Sequence, residues 1–424
     1  LPLSLEPASA SVLEGDHQVP EFPSKDVSIV SDLARQVIEL ASSDEYERRR
    51  QRWRDVNERR TPDRAPVWCR IALAWREVLP QDSLQCTDPT CRGVEYSLRQ
   101  KLYKHEVGDD EIFEPWWGVG VAWDCDTPHT WGLAAPQVDS TDMGGFRYEH
   151  PIKTEADYER LAVPTFSYNP EKTERALSRM SDLLGDAMPV RLTCQPPLAA
   201  MQAYYLEHLR GMEALVNDLA FRPELVHRAM AKLTEGILRA TRAAEETGLL
   251  TANHHEPMSC SDPVNGQPAD GRVRLHNLWT SVNSQEFQVI SPAMQEEFLL
   301  SYQRPVLQQY GAVQYGCCED LTQKIELIRR LPNLRVFVCS AWTDLDKVIE
   351  RCGSSHTIMW RQAAAAVTLP DDLSAYQQHL NEGLRKLQGC HYQVVLRELE
   401  TLKGHPDRLK EWARLGIELA ERHA

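Results

Sequence analysis

From residue 189 onward the chain alternates short apolar runs with longer amphipathic ones, and this rhythm restricts the fold more than any other feature. Strand-like runs fall at 189–194, 248–252, 311–314, 334–338, 356–360 and 392–396. Helical patterns fill 171–184, 198–220, 223–247, 292–310, 321–331, 344–352, 371–388 and the stretch from Asp407. Strands of about five residues separated by helices of ten or more call for a parallel sheet under helical cover. No Gly-x-Gly-x-x-Gly turn follows any strand, which favours a (β/α)8 TIM barrel over a doubly wound sheet. Residues 66–73 read as a first buried strand that delivers Arg70 to a cavity. Ahead of it, the spacing of Ile29, Leu33, Val37 and Leu40 predicts helices ending near Thr61-Pro62. The first 25 residues, rich in Pro, Ser and Ala, suggest an extended arm lying on the body or on a partner subunit, such as the second copy of a homodimer. The expected organisation is an arm and helices over 1–62 and a barrel over 63–424.

The 62 acidic and 47 basic side chains give a net charge of -15, which opposes a broad grip on nucleic acid or anionic membrane and points to a small-molecule substrate. No run approaches a membrane span, and the first residues lack the basic and apolar regions of a signal peptide, so the sequence reads as cytoplasmic. Eleven scattered cysteines do not form a compact disulfide framework. Cys86 and Cys91 have no second matching pair. Trp116, Trp117, Trp123 and Trp131, crowded among Gly118, Gly120 and Gly132, form either a hairpin packed on its own aromatics or an aromatic cap on a pocket.

The chemistry concentrates at Tyr315-Gly316-Cys317-Cys318-Glu319-Asp320, between a strand and a helix. In a barrel that turn lies at the carboxyl end of the strand, where active sites are built. Adjacent residues of a strand point to opposite faces, so both thiols serve one site only if the strand has ended, and Gly316 permits that break. A buried cysteine pair is the plain alternative to a thiolate metal site. Cys317 and Cys318 with Glu398 form the candidate zinc set, and His254-His255-Glu256 is a second source of ligands. Glu286, His255 and Glu319 are candidate proton-handling groups. Arg70, Trp279, Gln285, Tyr315, Trp342, Trp360 and Arg361 are candidate substrate contacts, Arg361 as a clamp for a carboxylate or phosphate.

The order of elements, together with Ser291-Pro292, Met294 and Glu297-Phe298 leading into a Cys-ended strand and then Ser340-Ala341-Trp342-Thr343-Asp344-Leu345, resembles the uroporphyrinogen decarboxylase superfamily. Within it the chain looks closest to zinc-dependent methyltransferases acting on methylcobamide and coenzyme M, whose barrel is shared with cobalamin-independent methionine synthase. The resemblance implies transfer of a methyl or small alkyl group at a thiolate-bound zinc. The cobamide would travel on a separate corrinoid protein, since no Asp-x-His-x-x-Gly loop is present here. Two departures stand out. Tyr315 replaces the histidine of the family's His-x-Cys, and Leu396-Arg397-Glu398 stands where the distal cysteine falls. A metal-independent decarboxylase or lyase, with Arg70 and Arg361 holding carboxylates, and a non-enzymatic corrinoid or small-molecule binding protein are the alternatives.

Overall fold

The computed structural model describes residues 21–139, 146–252 and 262–424. Its strands are β1 (Val67–Ile71), β2 (Trp117–Gly120), β3 (Ala122–Cys125), β4 (Gln137–Asp139), β5 (Phe146–Tyr148), β6 (Phe166–Asn169), β7 (Val190–Thr193), β8 (Trp279–Val282), β9 (Ala312–Tyr315), β10 (Leu334–Cys339), β11 (Thr357–Gln362) and β12 (His391–Leu399). Among the described residues, six form a parallel sheet in the order β1-β12-β11-β10-β9-β8. β2 and β7 form a separate parallel pair, while β3–β6 and β4–β5 are antiparallel. The result is a barrel-like α/β arrangement with its central sheet running from β8 round to β1.

Strand alternation divides the core in two. One face sends Trp68, Val336, Val338, Met359 and Val395 inward, against Trp53 and Val56. The other sends Val67, Phe337, Ile358, Trp360 and Val394 out against the helices. Because both faces are covered, the strands read as near-continuous apolar runs, which is why the sequence pattern finds them.

Trp53 and Val56 come from the helix Asp44–Asn57, whose Ser43 cap accepts from Tyr46 N. This helix closes the amino-terminal end of the sheet. Val56 O accepts from Thr357 Oγ1 at 2.7 Å, Asn57 O from Arg335 at 2.9 Å, and Asn57 Oδ1 from Gln393 at 3.2 Å. Asp110, 1% exposed, ties it further to β1. Its carboxylate accepts from Arg52 (2.5 Å), Arg64 (2.6 Å) and Val67 N (2.7 Å), so each buried charge has the partner that burial demands.

Several local expectations change. Residues 248–252 do not join a ladder; Thr251 N donates to Cys194 O at 3.1 Å, beside β7. The strand β8 replaces an unassigned stretch. A 19-residue helix, Pro89–Val107, occupies part of the region with no legible period; it is capped by Asp88 and ended by Gly108. The expected helix over 292–310 is three pieces, Pro292–Gln295, a π turn at Glu296–Leu300 and Ser301–Leu307, with Pro305 inside the last. Proline has no N–H for the α ladder, so the turn widens just before it. Cys86 and Cys91 are buried free thiols. Among the described residues no helix is long and apolar enough to cross a membrane.

Candidate active site

β9 ends at Gly316, whose φ of +115° is open to glycine. A Cβ there would lie 2.8 Å from that of Val338. The break folds the chain back over the sheet's carboxyl end and sets Cys317 Sγ 3.4 Å from Cys318 Sγ.

Two arginines, Arg361 and Arg397, act on these thiols from neighbouring strands, and Arg70 lies within electrostatic reach of Arg397. The inward apolar residues Trp68, Val395 and Met359 are followed two positions later by Arg70, Arg397 and Arg361, so alternation turns all three to the same interior. Arg361, 3% exposed, places Nη1 3.6 Å from Cys317 Sγ and 4.0 Å from Cys318 Sγ. Glu398 joins them through a bulge. Cys69 pairs with Leu396 but Ile71 with Leu399, and Glu398 takes up the extra residue at φ +59°. Bulges re-aim side chains beside active sites. Here the carboxylate comes 3.4 Å from Cys318 Sγ, 3.8 Å from Arg361 Nη1 and 3.5 Å from Arg397 Nε.

The two thiols therefore differ electrically. Cys317 is held well below the usual thiol range by the hydrogen bond from Cys318 and then by the Arg361 and Arg397 charges, against the opposing effect of burial. Cys318 is pushed up because it serves as that donor, is itself buried and faces Cys317 and Glu398. Burial, reinforced by Arg361 and Arg70, lowers Arg397 to about 10.

Two carboxyl groups complete the mouth. Glu319 is fully buried. Its carboxylate accepts from Ser284 N and Cys317 N, both at 2.8 Å, and its carbonyl from Ser340 Oγ at 2.8 Å and Thr343 Oγ1 at 3.3 Å. It thereby ties the ends of β8, β9 and β10 together. Glu286, on the turn after β8, has a buried Oε2 with no hydrogen-bond partner. Burial chiefly, then the charges of Glu319, Glu207 and Cys317, raise its carboxyl to about 7.

The structure thus brings Cys317, Cys318, Glu319, Arg361 and Glu398 into one cluster, with Arg70 and Glu286 in electrostatic reach. Other candidates lie elsewhere. Tyr315 turns to the helical layer, its hydroxyl against Gln295 (3.3 Å) and Gln303 (3.4 Å). Trp360 faces outward too, packed on Gly383 and the His379 ring. Trp279 begins β8 at the amino end and packs on the interior apolar layer. Trp342 is 73% exposed on the loop after β10, and Gln285 is exposed beside Glu286. His255, with His254 and Glu256, lies outside the described residues. Arg397 is the residue sequence reasoning passed over. Its signal was a charge at the inward position two beyond Val395.

A resident zinc needs three or four donors. Cys317, Cys318 and Glu398 approach one another, but Arg361 stands within 4.0 Å of all three, a fixed positive charge where the cation would sit. Among the described residues, no group of three or more His, Cys, Asp and Glu side chains is arranged to hold a metal ion. These donors alone do not fit zinc.

No protein-family model matches the chain, and no curated protein matches it. Among solved structures, it is similar to a methyltransferase from Methanosarcina mazei, at 13% identity over 85% of this chain and 98% of that one, with a TM-score of 0.48.

Proposed function

We propose that the mouth of the sheet is the active site of an enzyme transferring a methyl or other small alkyl group to or from the Cys317 sulfur, within a closed eight-stranded barrel. The observation that carries this reading is the meeting of Cys317 with buried Arg361 at 3.6 Å. A thiolate is the strong nucleophile among protein groups, and cationic neighbours keep it ionised near neutral pH. In the forward step the sulfur forms a bond to the alkyl carbon, and the leaving group departs with the electron pair of the broken bond. Glu286, a carboxyl raised to about 7, supplies the proton that the leaving group takes up.

The test is mass spectrometry of the protein after exposure to methyl donors, methylcobamide among them. One added methyl at Cys317, absent from Cys317→Ser, is the expected result; an unmodified Cys317 under turnover sinks the reading. A zinc-held version of the same transfer requires a further ligand from residues 253–261, and elemental analysis of wild type against Cys317→Ser and Cys318→Ser separates the two versions. The second reading is a decarboxylase or lyase of a small carboxylated substrate. It is favoured by the three arginines together with a carboxyl that keeps its proton near neutrality. Carbon dioxide release with no Cys317 adduct selects it.

A further inference from the structure

We propose that Arg361 and Arg397, flanked by Arg70, form a subsite for an oxyanion of the substrate, a carboxylate, sulfonate or phosphonate group seated beside Cys317. This rests on the mouth being the active site and adds the class of molecule it takes. A guanidinium carries five N–H donors and is costly to bury without acceptors. Arg361 is 3% exposed, yet its hydrogen-bond contacts are three sulfurs, Met359 Sδ at 3.5 Å and the two thiols. Both thiols share the single Nη1, Nε meets only a thioether, a weak acceptor, and among the described residues no oxygen accepts from this guanidinium within hydrogen-bond range. Arg397 is 7% exposed, and its Nε is buried with no hydrogen-bond partner. The nearest carboxylate, Glu398, stands 3.5 and 3.8 Å from the two guanidinium groups, outside good hydrogen-bond range, and its side chain is 45% exposed. Glu319 is already engaged by Ser284 N and Cys317 N.

Neighbouring strands thus hold like charges together, and Arg361 and Arg70 add to the burial that lowers Arg397. An oxyanion placed across the two forks, its oxygens paired with the guanidinium N–H groups, supplies the missing acceptors and relieves the repulsion, in the bidentate geometry that arginine favours. It also fixes the remainder of the substrate against the Cys317 sulfur. Lysine, as a point charge, would hold the group without orienting it.

The full chain is treated with iodoacetamide in the presence of acetate, methanesulfonate or methylphosphonate at ionic strength fixed with chloride, with acetamide as the neutral control. Cys317 alkylation and thermal midpoint are read together. At least one anion is expected to slow alkylation saturably, by about tenfold or more, and to raise the midpoint, and the ranking of the three identifies the oxyanion. Arg397→Met should weaken that anion at least about thirtyfold, since a desolvated charge pair is lost. Arg397→Lys, which keeps the charge and the fold, should weaken it several-fold. No effect of any anion beyond the chloride control, or undiminished binding in either variant, overturns the subsite. A Cys317 that resists alkylation below pH 7 counts against the thiolate reading alone, and the thermal shift then decides the subsite.

Discussion

Cys317 and Cys318 are adjacent and chemically identical, yet the mouth assigns them opposite tasks, one as anion and one as hydrogen-bond donor. An ordinary thiol is ionised to about 1% or less at pH 6. Iodoacetamide at that pH should therefore modify Cys317 at least tenfold faster than Cys318, and Arg361→Met should narrow the difference without removing it, since the Cys318 hydrogen bond and Arg397 remain, as peptide mass spectrometry would show. Equal rates would contradict the assignment. Glu286 gives a second handle, through pH. Its carboxyl is raised from 4.5 to about 7, so between those values the folded chain binds more protons than the unfolded one and stability falls as pH rises. The loss is at most about 3 kcal/mol. Glu286→Gln should flatten that slope in urea unfolding at pH 5 and 8, and should lower turnover by about a hundredfold or more. A slope unchanged in the variant would place the titration elsewhere.

At the scale of elements, the site depends on where β9 stops. Gly316→Ala puts a methyl 2.8 Å from the Val338 Cβ at a φ of +115°, so both space and backbone oppose it. The variant should lose about 2–4 kcal/mol in denaturant unfolding and lose the low-pH reactivity of Cys317 with it; near-wild-type stability would mean the turn can relax. Most of the sheet was legible in sequence because parallel strands buried on both faces are apolar runs. β8, short and carrying Thr280 and Ser281, was not, and neither was the helix Pro89–Val107, whose polar residues blur its period. The thiol turn was legible for a local reason, a glycine before two cysteines. Which side chains join it is set by facing, and alternation is reliable only once a strand's phase is known. Trp360 and Arg361 are neighbours in sequence, yet only Arg361 points inward. Glu398 reaches the cluster only through a bulge that no single-strand pattern announces.

In the whole molecule the amino-terminal helices are part of the core rather than an appendage to it. Trp53 and Val56 fill the end of the apolar interior, and Arg52 shares Asp110 with Arg64 and the start of β1. Removing residues 1–62 should therefore abolish cooperative thermal unfolding and expose a dye-binding apolar surface, where an independent barrel would melt normally. β12 lies between β1 and β11, and Gln393 on it meets Asn57, 336 residues earlier. That placement sets a schedule for biosynthesis. At ordinary translation speed the ribosome takes roughly 17–70 s to make the intervening chain, and for that whole interval Trp53, Val56 and Trp68 have no finished interior to enter. The segment synthesised early completes its contacts late, so an apolar surface stays open on the nascent chain until β12 has emerged.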